Sequence, residues 1–328
     1  MTKLIVMTGV TSGLGLETVR HLAAHDSCTL IAGARTPESA STVQAVMGRE
    51  RLTLLPLDLA DLSSVRAFAQ QVKQQLDGRK IDALGLNAGL QFTGRPGLTA
   101  AGLDVSFVTN HLGHFLLYHV LRDDLAPDAI VTATCSGTHH PDEWLANLFG
   151  FRGAFFPSAA RVATGDLTDD QTGDAQTDDA QTDDAQTDDA QAGMDLYATS
   201  KLCNIYFIRD MAKRLGVTGD GDEGIRFIGL DPGLMAGTGL ARDRGRAEQW
   251  AWRNVLPLLR YPLSPFGVRM STPVQSGAML AQILSGATTF QSGDYVDFKG
   301  RPAEISDLAL DDDNAAALYD YCADLVGV

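Results

Sequence analysis

Leu4-Ile5-Val6-Met7-Thr8-Gly9-Val10-Thr11-Ser12-Gly13-Leu14-Gly15 decides the fold class of this 328-residue chain. Leu4 to Thr8 is an apolar run suited to a buried strand, and a helical pattern follows the glycines through Ala24. Glycine lets the backbone turn tightly and come close to a ligand, while the N–H groups at a helix start favour an anion. The stretch predicts a strand, a Gly-rich turn and a helix, with Gly9, Thr11, Ser12, Gly13, Leu14 and Gly15 against the pyrophosphate of a dinucleotide. The plainer reading of such a turn is close packing alone. The lysine of a nucleotide-triphosphate loop is absent.

Strand and helix patterns alternate from there. Strands are predicted at Cys28 to Gly33, Leu52 to Leu57, Asp82 to Leu86, Ala129 to Thr134, Ile225 to Leu230 and Tyr295 to Phe298. Helices are predicted from Pro37, over Asp61 to Leu76, over Ala101 to Asp124, around Tyr197 and at the C-terminus, with a less regular apolar region over 245–285. This order specifies an α/β fold with a doubly wound parallel sheet of Rossmann type, in one domain spanning 1–328. Ligands of such sheets sit at the carboxyl ends of the strands, where Gly9, Arg35, Asp58, Asn87, Ser136 and Asp231-Pro232-Gly233 all fall. At the end of the second strand an acidic residue would hold a free ribose 2'-hydroxyl. Arg35 stands there instead, and a guanidinium suits a 2'-phosphate, so NADP(H) is favoured over NAD(H).

Tyr197-Ala198-Thr199-Ser200-Lys201 places a phenol and an ammonium one helical turn apart on a common face. A free phenol has a pKa of about 10, so acid-base work near neutrality asks for a shift of about 3 units, or ~4 kcal/mol, which an adjacent ammonium can supply. On its own the pair is also compatible with an ordinary amphipathic helix.

Bulk properties exclude several classes. The hydrophobic share, 45%, is ample for a large core. No uninterrupted apolar stretch approaches membrane-spanning length and no charged-then-apolar leader precedes the first strand, so a soluble cytoplasmic protein is expected. Cys28, Cys135, Cys203 and Cys322 show no paired spacing and read as packing residues in a reducing compartment. Net charge is −15, but the nine aspartates within Thr168 to Gly193 account for much of it and leave −6 for the rest. That segment repeats Gln-Thr-Asp-Asp-Ala with a period of five, starting at Gln176, Gln181 and Gln186, and reads as a disordered acidic insert over 168–193. Calcium binding is the sharper alternative, but the glycine-supported spacing of repeat calcium sites is missing. A net-acidic chain without a basic stripe argues against nucleic acid. His111, His114 and His119 on one predicted helix, and His139-His140, lack a Cys or carboxylate cluster at ligand spacing, so no metal site is read from them.

Taken in order, Thr8-Gly9-x-x-x-Gly13-x-Gly15, Asn87-Ala88-Gly89, Asn110, Ser136 and Tyr197 with Lys201 resemble the short-chain dehydrogenase/reductase family. Asn110-His111-Leu112-Gly113-His114-Phe115-Leu116-Leu117, Asp58 to Arg66 and Ser200-Lys201-Leu202-Cys203-Asn204 are similar to the branch holding retinol dehydrogenases and light-dependent protochlorophyllide reductases. Pro232-Gly233-Leu234-Met235-Ala236-Gly237-Thr238-Gly239-Leu240, Pro257-Leu258-Leu259-Arg260 and Pro265-Phe266 lean toward the second group.

The resemblance implies an NADP(H)-dependent oxidoreductase in which Tyr197, Lys201, Ser136 and Asn110 are catalytic. Tyr197 would give the proton, Lys201 would bind the nicotinamide ribose and lower the Tyr197 pKa, Ser136 would hydrogen-bond the substrate, and Asn110 would position a water. Asp58, Leu59, Asn87, Ala88, Gly89, Tyr197, Lys201, Pro232, Gly233 and Thr238 would join the Gly-rich turn and Arg35 in holding the cofactor. Protochlorophyllide reductases usually carry Cys directly after the Pro-Gly, where this chain has Leu234, and a second basic residue one turn past Arg35 is replaced by Ser39. The family's Thr after Pro-Gly falls on Gly237, with Thr238 beside it. Residues 234–290, including Trp250, Trp252, Leu256, Leu258 and Leu259, are expected to form an apolar lid over a flat, bulky substrate. The rival readings are a light-independent alcohol/carbonyl oxidoreductase and a non-enzymatic dinucleotide sensor. Self-association is left open.

Overall fold

The computed structural model describes residues 2–25, 27–168, 182–216, 224–235 and 270–328. Strand β1 (Lys3–Thr8) runs through the Gly-rich turn into helix α1 (Gly13–Ala23), as the opening stretch requires. There follow β2 (Cys28–Ala34), α2 (Ser41–Met47), β3 (Leu52–Pro56), α3 (Leu62–Gln75) and β4 (Ile81–Leu86). Next come α4 (Val105–Phe107), a π-helical turn (Val108–Leu112), α5 (Gly113–Leu121), β5 (Leu125–Thr134), α6 (Trp144–Leu148), α7 (Ala159–Thr164) and α8 (Thr182–Arg214). The chain closes with β6 (Arg226–Asp231), β7 (Leu234–Met235), β8 (Met270–Ser271), α9 (Pro273–Leu284), β9 (Tyr295–Asp297) and α10 (Asp312–Val326).

Seven strands form one parallel sheet in the order β3-β2-β1-β4-β5-β6-β9. The chain winds outward in opposite directions from β1 and β4, so the crevice beyond their carboxyl ends is the topological switch point where ligands of this architecture bind. Strand residues alternate between two buried faces. Leu4 and Val6 of β1 join a core with α3, α5, α8 and α10, while Ile5 and Met7 join the opposite core with α1, α2 and α9. Burial on both faces is why these strands read as unbroken apolar runs.

Three expectations change. Helix was predicted from Ala101, but Gly102 sits at φ +76° and Asp104 caps α4, its carboxylate accepting from the Phe107 N–H at 2.9 Å, so the helix starts later and contains the π turn. The acidic segment was expected to be a disordered loop through Gly193, yet α8 begins at Thr182. Asp189 accepts from the Arg95 N–H (3.1 Å) and Gln191 donates to the Gly150 carbonyl (3.1 Å). Adding Ala- and Gln-bearing turns to a helix already nucleated in the core costs little, which explains the extension. Residues 169–181 lie outside the described residues. The lid expectation over 234–290 fails for α9: Leu280, Ile283 and Leu284 are fully buried, and a Cβ on Gly277 would lie 2.8 Å from the Thr18 backbone N, so this helix packs directly on α1. Thr238, Trp250, Trp252, Leu256, Leu258 and Leu259 lie outside the described residues.

Candidate active site

Thr8 ends β1 and Gly9 turns the chain at φ +71°, where a Cβ would lie 2.7 Å from the Ala88 Cα. Asn87, just past β4, donates its amide to the carbonyls of Thr8 (3.2 Å) and Gly9 (3.0 Å), and accepts from the Thr134 hydroxyl at 3.1 Å. This side chain ties β1, β4 and β5 together at the switch point. Ser12 makes no side-chain cap at the start of α1, and no acidic residue occupies the first turn, so the amides there suit an anionic ligand. Arg35, directly after β2, and Asp58, near the end of β3, are exposed, whereas Leu59 is buried with its carbonyl against Gly113. The Asp58 carboxylate accepts from the Ala60 N–H at 3.0 Å, shaping the turn.

Asn110, in the π turn, is fully buried. Its amide donates to the Leu90 carbonyl and the Ser200 hydroxyl, both at 2.9 Å, and its oxygen accepts from the Leu90 N–H at 2.8 Å. π turns are frequent at functional sites, and this one aims Asn110 at both the loop after β4 and the helix of Tyr197 and Lys201. Lys201 donates to the Thr134 carbonyl at 2.9 Å, which also accepts from Asn204 at 3.2 Å. A Cβ on Gly89 would come within 3.2 Å of the Lys201 ammonium, so glycine here leaves that group room that a larger residue would crowd.

Ser136 follows β5. Its hydroxyl accepts from the Thr138 N–H (3.3 Å) and its carbonyl accepts from His139 Nδ1 (2.7 Å). Tyr197 is 8% exposed, packs on Phe151 with ring centroids 6.1 Å apart, and lines one cleft with Ser136. Burial pushes the Tyr197 phenol above its ordinary range, with the Ser136 side chain opposing the rise. Burial also lowers Lys201, to about 8. The sequence expectation had the ammonium lowering the phenol, and the geometry differs. The Lys201 amine lies 5.7 Å from the Tyr197 ring centroid and is turned onto the Thr134 carbonyl, so desolvation governs both groups. A phenol held protonated is the donor form.

Beside Tyr197 opens a cleft of about 800 Å³ including its mouth. Leu145, Phe149, Phe151, Leu234 and Met235 supply an apolar wall, with Ser136, Thr138, Glu143 and Asp231 as polar points. Asp231 holds the floor, accepting from the N–H groups of Gly137 (3.2 Å) and Gly233 (2.9 Å). Thus Ser136, Tyr197, Pro232 and Gly233 share one cleft, while Asn110 and Lys201 support it from behind. Sequence reading missed the wall from α6 and the role of Asn204, although Asn204 stands one turn beyond Lys201 on the same helix.

The histidines have separate partners, and no group of three potential metal ligands occurs among the described residues. Burial depresses His111, His119 and His139 to about 4 and His114 to about 3. Unfolded rings protonate near pH 6.5, so between that value and the folded ones the unfolded chain binds more protons, and stability falls as pH falls. Asp104, raised to about 6 by burial, acts in the opposite sense, but four rings outweigh one carboxyl. Thermal melts should show a Tm at pH 5 at least ~5 °C below that at pH 7.5; equal values would contradict buried neutral histidines.

A seven-stranded, doubly wound parallel sheet with a Gly-rich turn at its switch point defines a Rossmann-type protein. The chain belongs to the short-chain dehydrogenase/reductase family, an oxidoreductase family that binds nicotinamide dinucleotides. A family model described as short chain dehydrogenase matches residues 3–138. The chain is 30% identical to the chloroplastic protochlorophyllide reductase of Cucumis sativus over 349 residues, covering 99% of this chain and 78% of that protein. The corresponding protein of Pisum sativum is also 30% identical over 99% of this chain and 78% of its own length. Among solved structures, an NADPH-bound carbonyl reductase from chicken fatty liver shares the fold with a TM-score of 0.60 at 16% identity, covering 93% of this chain and 99% of that one. Both curated relatives are named as chloroplastic, so the cytoplasmic expectation gains no support from them. No helix among the described residues is long and apolar enough to cross a membrane.

Proposed function

We propose that this chain is an NADPH-dependent reductase acting on a bulky apolar substrate, most similar in activity to protochlorophyllide reductase, with Tyr197 giving the proton. The observation that carries the reading is the apolar cleft lined by both Tyr197 and Ser136 beside the switch point, in a chain similar over 99% of its length to protochlorophyllide reductases. The start of α1, with no side-chain cap and no acidic residue, fits a pyrophosphate, and Arg35 fits a 2'-phosphate. NADPH, when bound, supplies a hydride to one carbon of the reacting double bond. The Tyr197 phenol delivers a proton to the other carbon, Ser136 orients the substrate, and Lys201 holds the nicotinamide ribose hydroxyls. Asn110 fixes the loop after β4 through Leu90, and a water in the proton relay belongs beside it.

The test mixes purified protein, NADPH and protochlorophyllide in darkness, records absorption spectra and then illuminates. Reduced pigment only after light is the expected result, and no product after light contradicts photoreduction. A second reading, a dark alcohol/carbonyl oxidoreductase, is favoured by Leu234, which puts an apolar side chain in the cleft where related photoreductases usually carry Cys. Oxidation of NADPH by aldehydes or ketones in darkness would support it. Substituting Arg35→Ala should weaken NADPH at least ~10-fold while changing NADH less than ~2-fold, measured by titration calorimetry. Equal losses would mean that Arg35 does not read the 2'-phosphate.

A further inference from the structure

We propose that His114 is a positioning residue that locks the Thr8–Asn87–Ala88 turn, the floor of the dinucleotide site, to the helix carrying Asn110. The inference rests on the dinucleotide-binding reading of the Gly-rich turn. Thr8 is fully buried, and its hydroxyl oxygen accepts from the N–H groups of Asn87 and Ala88, both at 3.0 Å. A hydroxyl has two lone pairs and one proton, so these bonds use its accepting capacity and leave the proton to be placed. Its nearest acceptor is His114 Nε2 at 2.9 Å, with the Gly85 carbonyl more distant at 3.4 Å. On the other side of the ring, Nδ1 lies 3.3 Å from the Asn110 carbonyl, which can only accept. The two contacts fix one tautomer: Nδ1 donates to Asn110 and Nε2 accepts from Thr8. Burial at 3% exposure keeps the ring neutral, as an accepting Nε2 requires.

His114 therefore bridges the end of β1 and the loop after β4 to the π turn, from which Asn110 reaches Leu90 and Ser200. Without that acceptor the Thr8 proton would turn toward Gly85, and the Asn87 and Ala88 amides would lose their fixed partner. The amide groups touching Gly9 would then be free to shift.

Three variants separate positioning from bulk packing. His114→Phe removes both polar atoms, His114→Asn keeps a donor near Nδ1 but ends short of Nε2, and His114→Gln can place an oxygen where Nε2 accepts. Hydrogen exchange of the ligand-free protein should show the Asn87 and Ala88 amides exchanging at least ~10-fold faster in H114F and H114N than in wild type, with H114Q within ~3-fold of wild type. NADPH dissociation constants should follow the same order, H114F and H114N weakened at least ~5-fold and H114Q nearly unchanged. If H114F does not fold, H114N against H114Q decides the matter. Wild-type exchange in H114N, or H114Q as fast as H114N, overturns the proposal. A wild-type protein that fails to bind NADPH would refute the proposed function, while the exchange comparison still judges His114.

Discussion

Tyr197→Phe should lower turnover by about 10²- to 10⁴-fold while leaving the NADPH dissociation constant within ~2-fold of wild type. The side chain is 8% exposed and packs on Phe151, so phenylalanine fills the same space and only the hydroxyl is lost. Among the described residues lining the cleft that hydroxyl is the one phenol, and Ser136 lines the same cleft. Cofactor contacts assigned to the Gly-rich turn and Arg35 lie on other elements and are untouched. Single-turnover absorbance with saturating NADPH separates the proton-transfer loss from any binding loss. Turnover retained to within ~10-fold would place the proton donor elsewhere.

Gly15→Ala should instead strike at cofactor binding, which Tyr197→Phe spares, and at the fold itself. A Cβ at this position would stand 1.9 Å from the Gly9 carbonyl oxygen and 2.8 Å from the Asn87 amide nitrogen. Neither can retreat cheaply. Gly9 belongs to the turn itself, and Asn87 is held by the Thr8 and Gly9 carbonyls and by Thr134. Overpacking of a rigid site costs about 1–3 kcal/mol, and here the obstacle is backbone, so a loss at or above ~3 kcal/mol and at least ~100-fold weaker NADPH binding are expected. Gly97→Ala is the control, because a Cβ there meets nothing within 4 Å. Chemical denaturation together with fluorescence titration reads both effects, and an unaltered G15A protein would mean that the turn is looser than its contacts indicate.

The fold was legible where burial on two faces wrote itself into the residues. Leu4 to Met7, with alternate side chains in opposite cores, could only be an interior strand, and the glycines after it marked the crevice. Tyr197 and Lys201 were legible because helical spacing puts them on one face, although their electrostatics were not. Desolvation depends on what surrounds a group in three dimensions, and burial against Phe151 raised the phenol that local spacing would lower. Helix α9 was folded into an expected lid because an apolar stretch precedes it and its partner, α1, lies more than 250 residues away in sequence. The α6 wall of the cleft was hidden for a related reason: Leu145 and Phe149 carry no chemical signature until β5, α8 and β6 bring Ser136, Tyr197 and Asp231 beside them. The histidines carried no readable role in the sequence beyond the absence of metal-ligand spacing. Only coordinates reveal that His114 and His139 each face the backbone carbonyl of a candidate catalytic residue.

Titrating NADPH into the purified protein while recording nicotinamide emission tests the central claim most directly, because it asks whether a reduced nicotinamide ring enters a water-excluded site. The account expects a saturable 1:1 rise in emission, stronger affinity for NADPH than for NADH, and a response preserved in Y197F but abolished in G15A. Unchanged emission for the wild-type protein at ~1 mM NADPH, equivalent to binding no stronger than about −4 kcal/mol, would contradict it.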